Sequence, residues 1–172
     1  MRLAVGLVVV VTVAVACGGG EDQGPTAGDY YTQLQRVSET AQIQERGLQS
    51  SMHTRLEESE LPEDRLDVLL VYVDQSAALY QDVVDAMREL DPPGQLADAQ
   101  KAYQAAWQTQ VNLFANVRDG GFSDAGGLSD ALASPAFDDA EAETTARCDE
   151  LQAAVQRTGS SVDLVCDGRP AH

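Results

Sequence analysis

The strongest constraint on the fold lies between Leu66 and Leu90. Leu66, Leu69, Val73, Ser76, Tyr80, Val83, Met87 and Leu90 follow one another at steps of 3, 4, 3, 4, 3, 4 and 3. At 3.6 residues per turn these positions share one side of an α-helix, and alternating threes and fours are the seam of a helix bundle. A strand would scatter the same residues over both faces, because its side chains alternate with period two. Leu70, Ala77 and Val84 widen the stripe toward a second neighbour, which makes this the central helix. Pro62 suits its first turn, and Glu63 and Asp64 sit beside the positive end of its dipole. Asp91-Pro92-Pro93-Gly94 ends it, since consecutive prolines remove donors and fix the backbone.

Three more helices follow from the same logic. The first runs from Asp29, a plausible N-cap, to about Ser59, with Tyr30, Leu34, Val37, Ala41, Leu48, Met52 and Leu56 at helical spacing. Gln44 and Ser51 interrupt that stripe, so its middle is expected to pack loosely or face an opening. The third runs from about Gln95 to Arg118. Leu96, Ala99, Tyr103, Ala106, Leu113 and Val117 form its stripe, with Trp107, Val111 and Phe114 alongside; Asp119-Gly120-Gly121 ends it. Residues 119–135 form the longest connection, with one helical turn expected at Leu128–Ala133. The fourth opens at Ser134-Pro135, an N-cap followed by a first-turn proline. It carries Phe137, Ala140, Thr144, Cys148, Leu151 and Val155 inward and closes at Gly159. The expected fold is therefore all-α: an antiparallel up-down four-helix bundle spanning 29–172, with a C-terminal tail bonded to the fourth helix.

The chain begins differently. Leu3–Ala16 is an apolar run of 14 residues behind Arg2, the one charge before Cys17. It is too short to span hydrocarbon, which takes about 20 residues, and fits the core of an export signal. Ala14-Val15-Ala16 would also satisfy a plain secretory cleavage site. Ala16-Cys17, however, resembles the lipobox of bacterial lipoproteins, although Ala14 stands where that pattern prefers Leu. The resemblance implies diacylglycerol transfer to the Cys17 sulfur and cleavage before it, making 1–16 a signal peptide. Two or three acyl chains hold a protein at a membrane where one does so only marginally. Gly18–Gly28 reads as a flexible tether following the lipidated cysteine. The expected location is the extracytoplasmic side of a cell membrane.

Composition narrows the partners. The formal charge is −17, and loss of Arg2 with the signal makes it −18. Such a surface repels nucleic acid and anionic headgroups. Cys148 and Cys166, 18 residues apart, are expected to form a structural disulfide, in keeping with an exported chain. Redox or zinc roles fit poorly, because the spacing is not Cys-x-x-Cys and no histidine is near.

Other chemistries lack their residues. A di-iron bundle needs Glu-x-x-His twice, and neither His53 nor His172 has a glutamate three residues before it. His53 beside Met52 at the polar edge of the first helix reads as solvated. Asp119–Asp130 has the acids and glycines of a calcium loop but not the EF-hand register, since Asp124 stands where glycine is required. Glu57, Glu58, Glu60, Glu63 and Asp64 read as a solvated corner. No P-loop, nucleotide fingerprint or Gly-x-Ser-x-Gly occurs. No catalytic, cofactor-binding or metal residue is assigned. The mature part resembles helical lipoproteins of high-GC bacteria, which carries no catalytic residues over. The expectation is a non-enzymatic lipoprotein binding a protein or envelope component. The alternative is a small-molecule or metal-ion module with an inter-helix pocket near Gln44, Ser51 and the aromatic residues.

Overall fold

A computed structural model describes residues 26–164 and 166. The expected signal segment, Cys17 and most of the expected tether lie outside the described residues. The described residues form four long helices and one short one: α1 (Ala27–Glu58), α2 (Pro62–Arg88), α3 (Ala97–Asp119), α4 (Ala125–Leu132) and α5 (Pro135–Arg157). A 3-10 turn, Gly94–Leu96, leads into α3, and no strand occurs among the described residues.

α1 begins earlier than the sequence implies, and Asp29 is not its cap. Thr26 caps instead, in a capping box. The Asp29 amide donates to the Thr26 hydroxyl at 3.3 Å, and the Thr26 amide donates to the Asp29 carboxylate at 3.0 Å. Residues 27 and 28, expected to be part of a coil, are therefore the first residues of α1. Asp124 caps α4 by accepting from the Gly127 amide at 2.9 Å, which makes the expected single turn a helix of 8 residues. Gly159, at φ +83°, turns the chain back after α5, a conformation that a Cβ would strain.

The stripe on α2 is the core. Val73, Ser76, Tyr80, Val83, Val84 and Met87 are buried on it, against Tyr30, Leu34 and Ala41 of α1 and Tyr103, Trp107 and Phe114 of α3. α1 packs on α2, α2 on α3, and α3 on α5, while α4 lies mainly on α2. Beyond Ala41 the stripe of α1 is only partly buried, at Leu48, Met52 and Leu56. Cys148 and Cys166 are disulfide-bonded with Cα atoms 5.4 Å apart. The tail is also held by Gln152, whose amide donates to the Val162 carbonyl at 2.9 Å and accepts from the Leu164 amide at 2.6 Å. Leu164 is buried beneath that clamp.

One polar network inside this apolar core is fully paired. The Tyr30 hydroxyl donates to Gln100 Oε1 at 2.6 Å, and Gln100 Nε2 donates to the Met87 carbonyl at 2.8 Å. Met87 belongs to the last turn of α2, where carbonyls lack the usual i+4 amide, and its oxygen accepts from the Leu90 amide at 3.3 Å. Gln100 from α3 gives that carbonyl a second, shorter bond.

Candidate functional site: a cleft between the first and last long helices

α1 and α5 do not pack on each other as the other neighbours do. They are joined at one end by a hydrogen bond between the Tyr31 and Thr158 hydroxyls, 2.5 Å long. Along their middles they flank a cleft with α3 between them. It has two lobes, about 130 and 170 Å³ in volume, which share Glu45, Gln110 and Glu141.

Three helical stripes build it. α1 contributes Ser38, Gln42, Glu45 and Gln49, at steps of 4, 3 and 4. α3 contributes Tyr103, Trp107, Gln110 and Phe114 at steps of 4, 3 and 4, and α5 contributes Glu141, Thr144, Thr145 and Cys148. Residues at such steps lie on one side of a helix, so each helix presents a continuous wall. The Cys148–Cys166 disulfide belongs to the lining of the first lobe, so the fastened tail borders the cleft as well.

The floor is aromatic. Trp107 stacks edge-on with Tyr103 at 6.1 Å between ring centroids and lies 5.1 Å from Tyr80 of α2. Phe114 contacts Tyr80 at 5.4 Å and Phe137 of α5 at 4.9 Å. These separations are those of favourable edge-to-face pairs. The rings form one connected slab that the polar walls stand on.

Polar groups are fixed upon that slab. The Tyr80 hydroxyl donates to Glu45 Oε1 at 2.6 Å, a charge-assisted bond that orients the carboxylate. Gln110 Nε2 donates to the Thr144 hydroxyl at 2.9 Å, and that hydroxyl donates to the Ala140 carbonyl at 2.8 Å. Burial raises the Tyr80 hydroxyl far above the ordinary tyrosine range, and the charge of Glu45 adds to the effect. Tyr72 and Tyr103 are raised for the same first reason, burial; Glu45 raises both, and Glu141 also raises Tyr72. Hydrogen bonding with Ser76 moderates Tyr72, and polar contacts with Trp107 and Ser38 moderate Tyr103. All three phenols therefore stay protonated and neutral at physiological pH.

One donor is left over. The Trp107 indole N–H is buried and has no hydrogen-bond partner among the described residues; the Tyr103 hydroxyl is near enough to feel it but not in bonding geometry. Native interiors rarely leave such a group unpaired, and doing so costs about 1–3 kcal/mol.

The sequence places the opening on the wrong side of α1. Gln44 and Ser51 are exposed, and Gln44 borders shallow surface grooves beside Leu79 and Asp82 of α2. The cleft lies about one residue's rotation further round, at Glu45. The acidic loop is used structurally, since Asp124 caps α4. His53 is exposed and pairs with Glu57 at 3.1 Å. Among the described residues no group of three or more His, Cys, Asp or Glu is arranged to hold a metal ion. Nor is any described helix long and apolar enough to cross a membrane. No family model matches this chain, and the comparisons with curated proteins and with solved structures found no match.

Proposed function

We propose that this chain is a membrane-tethered, non-enzymatic binding module, anchored through lipid on Cys17 and holding a small molecule in the α1–α5 cleft. The observation that carries the ligand half is that cleft: an aromatic floor between polar walls, where close packing is the rule for protein interiors. The tether half is supported by the apolar leader ending at Ala16-Cys17 and by the glycine-rich spacer that runs up to the α1 cap. A disulfide in the folded domain fits an oxidising compartment outside the cytoplasm.

Docking of an envelope protein has a narrower basis. Ile43, Leu61 and Val71 are exposed, but single exposed apolar side chains are ordinary on protein surfaces.

Each half has its own test. Cys17→Ser should abolish acylation and release the domain from membranes; retention equal to that of the unaltered chain would refute the tether. For the cleft, the thermal midpoint of the purified protein is measured against a panel of small amines, carboxylates, sugars and amides. At least one class should raise it saturably, and Thr144→Val with Gln110→Leu should remove the response. A flat response to all classes would refute the binding reading.

A further inference from the structure

We infer that the cleft ligand is a small organic ammonium ion that also carries a hydrogen-bond acceptor, a deduction that rests on the binding reading above.

Charge sets the sign. Glu45 and Glu141 belong to both lobes and Asp138 to the second; among the described residues no lysine, arginine or histidine lines either lobe, and none of the three carboxylates takes part in an ion pair. A negatively charged ligand would face two carboxylates in the first lobe and three in the second, inside a protein of formal charge −17. A cation meets the opposite field.

The aromatic floor selects the kind of cation. Trp107, Tyr103, Tyr80 and Phe114 supply ring faces and edges but no metal ligand. A calcium ion takes six to eight oxygen ligands, and no cluster of three acidic or metal-binding side chains is present among the described residues. An alkylammonium group suits the site better, because it takes up cation–π attraction from Trp and Tyr while its carbon atoms replace water against the rings. Lobes of about 130 and 170 Å³ bracket the size of a cavity that holds benzene, so the ion has only a handful of heavy atoms in each lobe.

The orphan indole N–H supplies the second requirement. Trp107 is only 8 % exposed and lines the lobe that contains Glu45 and Glu141, yet its donor is unpaired. A ligand hydroxyl, ether or carbonyl oxygen reaching it would remove that penalty. Ammonium and acceptor on one small skeleton thus answer the carboxylates and the indole together.

Trp107 is the single tryptophan of the chain, so its emission reports on the cleft alone. The experiment titrates the lipidated full-length protein in neutral detergent with choline, with ethanolamine and with 3,3-dimethylbutan-1-ol, the uncharged isostere of choline. A parallel arm adds vesicles of phosphatidylethanolamine to distinguish a lipid headgroup from a free amine. At least one ammonium should change the emission saturably, on the order of tenfold more tightly than the isostere. Combining Glu45→Gln with Glu141→Gln should weaken that binding by a similar factor. Glutamine keeps an acceptor for Tyr80, and an unchanged thermal midpoint of the variant verifies folding. Isostere binding as tight as choline binding, or undiminished affinity in the variant, would overturn the inference. A sugar or carboxylate that saturates where no ammonium does would overturn it and leave the binding reading standing. Failure of every class in the panel would overturn both.

Discussion

Reducing the Cys148–Cys166 disulfide is the perturbation whose size follows most directly from the structure. The bridge closes a loop of 18 residues, from the buried face of α5 around Gly159 to the tail. On the chain-entropy model, opening a loop of that length frees the unfolded chain by about 3 kcal/mol at 25 °C. The folded state need not follow at once. Two hydrogen bonds from Gln152 and the burial of Leu164 hold the tail independently of the sulfurs. Each such bond is worth roughly 1 kcal/mol net, and burying the leucine roughly 2 kcal/mol. Reduced protein should therefore remain folded with its tail docked, and lose about 3 kcal/mol of global stability rather than more. The assay is urea unfolding followed by far-ultraviolet circular dichroism, with and without a phosphine reductant, with thiol release confirmed by mass. With a slope of about 2 kcal/mol per molar urea, the midpoint should fall by about 1.5 M at constant slope. In a thermal scan the same loss should read as roughly 10 °C. An unmoved midpoint with both thiols free would refute the reasoning, since it would mean that the loop does not open when the bundle unfolds. A changed slope would instead show that the tail leaves before the helices do.

Three further outcomes are expected. Leu151→Ala, at a fully buried position of α5, should cost about 2–5 kcal/mol in denaturant unfolding, whereas Ile43→Ala on the exposed face of α1 should stay within about 0.5 kcal/mol. Gln100→Leu strands the buried Tyr30 hydroxyl and leaves the Met87 carbonyl only its longer bond from the Leu90 amide, so it should destabilise by about 1–3 kcal/mol, and adding Tyr30→Phe should restore part of that loss in a double-mutant cycle. Hydrogen bonds from Thr26 hold Asp29 below its ordinary value of 3.8. Its support for α1 is thus complete above that ordinary value and is lost as the pH falls through the lower folded one. Asp29→Asn should flatten the corresponding acid limb of α1 amide-exchange protection, and an unchanged limb would exclude the capping box as its source.

The core was legible because one kind of force writes it. From Leu66 to Leu90 every third or fourth residue but Ser76 is apolar, and seven of the eight stripe positions, Leu69 through Leu90, are buried as that spacing requires. Pro62, Pro135 and Gly159 marked helix ends for similarly local reasons. The start of α1 was misplaced because both Thr26 and Asp29 are competent caps; only the reciprocal bonds of the folded turn decide between them. The cleft was missed for a different reason. Ser38, Gln42, Glu45 and Gln49 form a polar stripe, and a polar stripe on an amphipathic helix is ordinarily its solvent face. Gln110 interrupts α3 where an apolar residue would continue the seam through Tyr103, Ala106 and Leu113, yet it is buried and bonded to Thr144. That buried glutamine, with Thr144 at an inward position of α5, was the available signal. Two polar side chains on the inner stripes of successive long helices can satisfy each other only if those stripes meet. Once they pair, the polar stripe of α1 faces α5 across a gap that close apolar packing cannot fill. The same two residues that cost this bundle a sealed core therefore define where it opens and which walls a ligand meets.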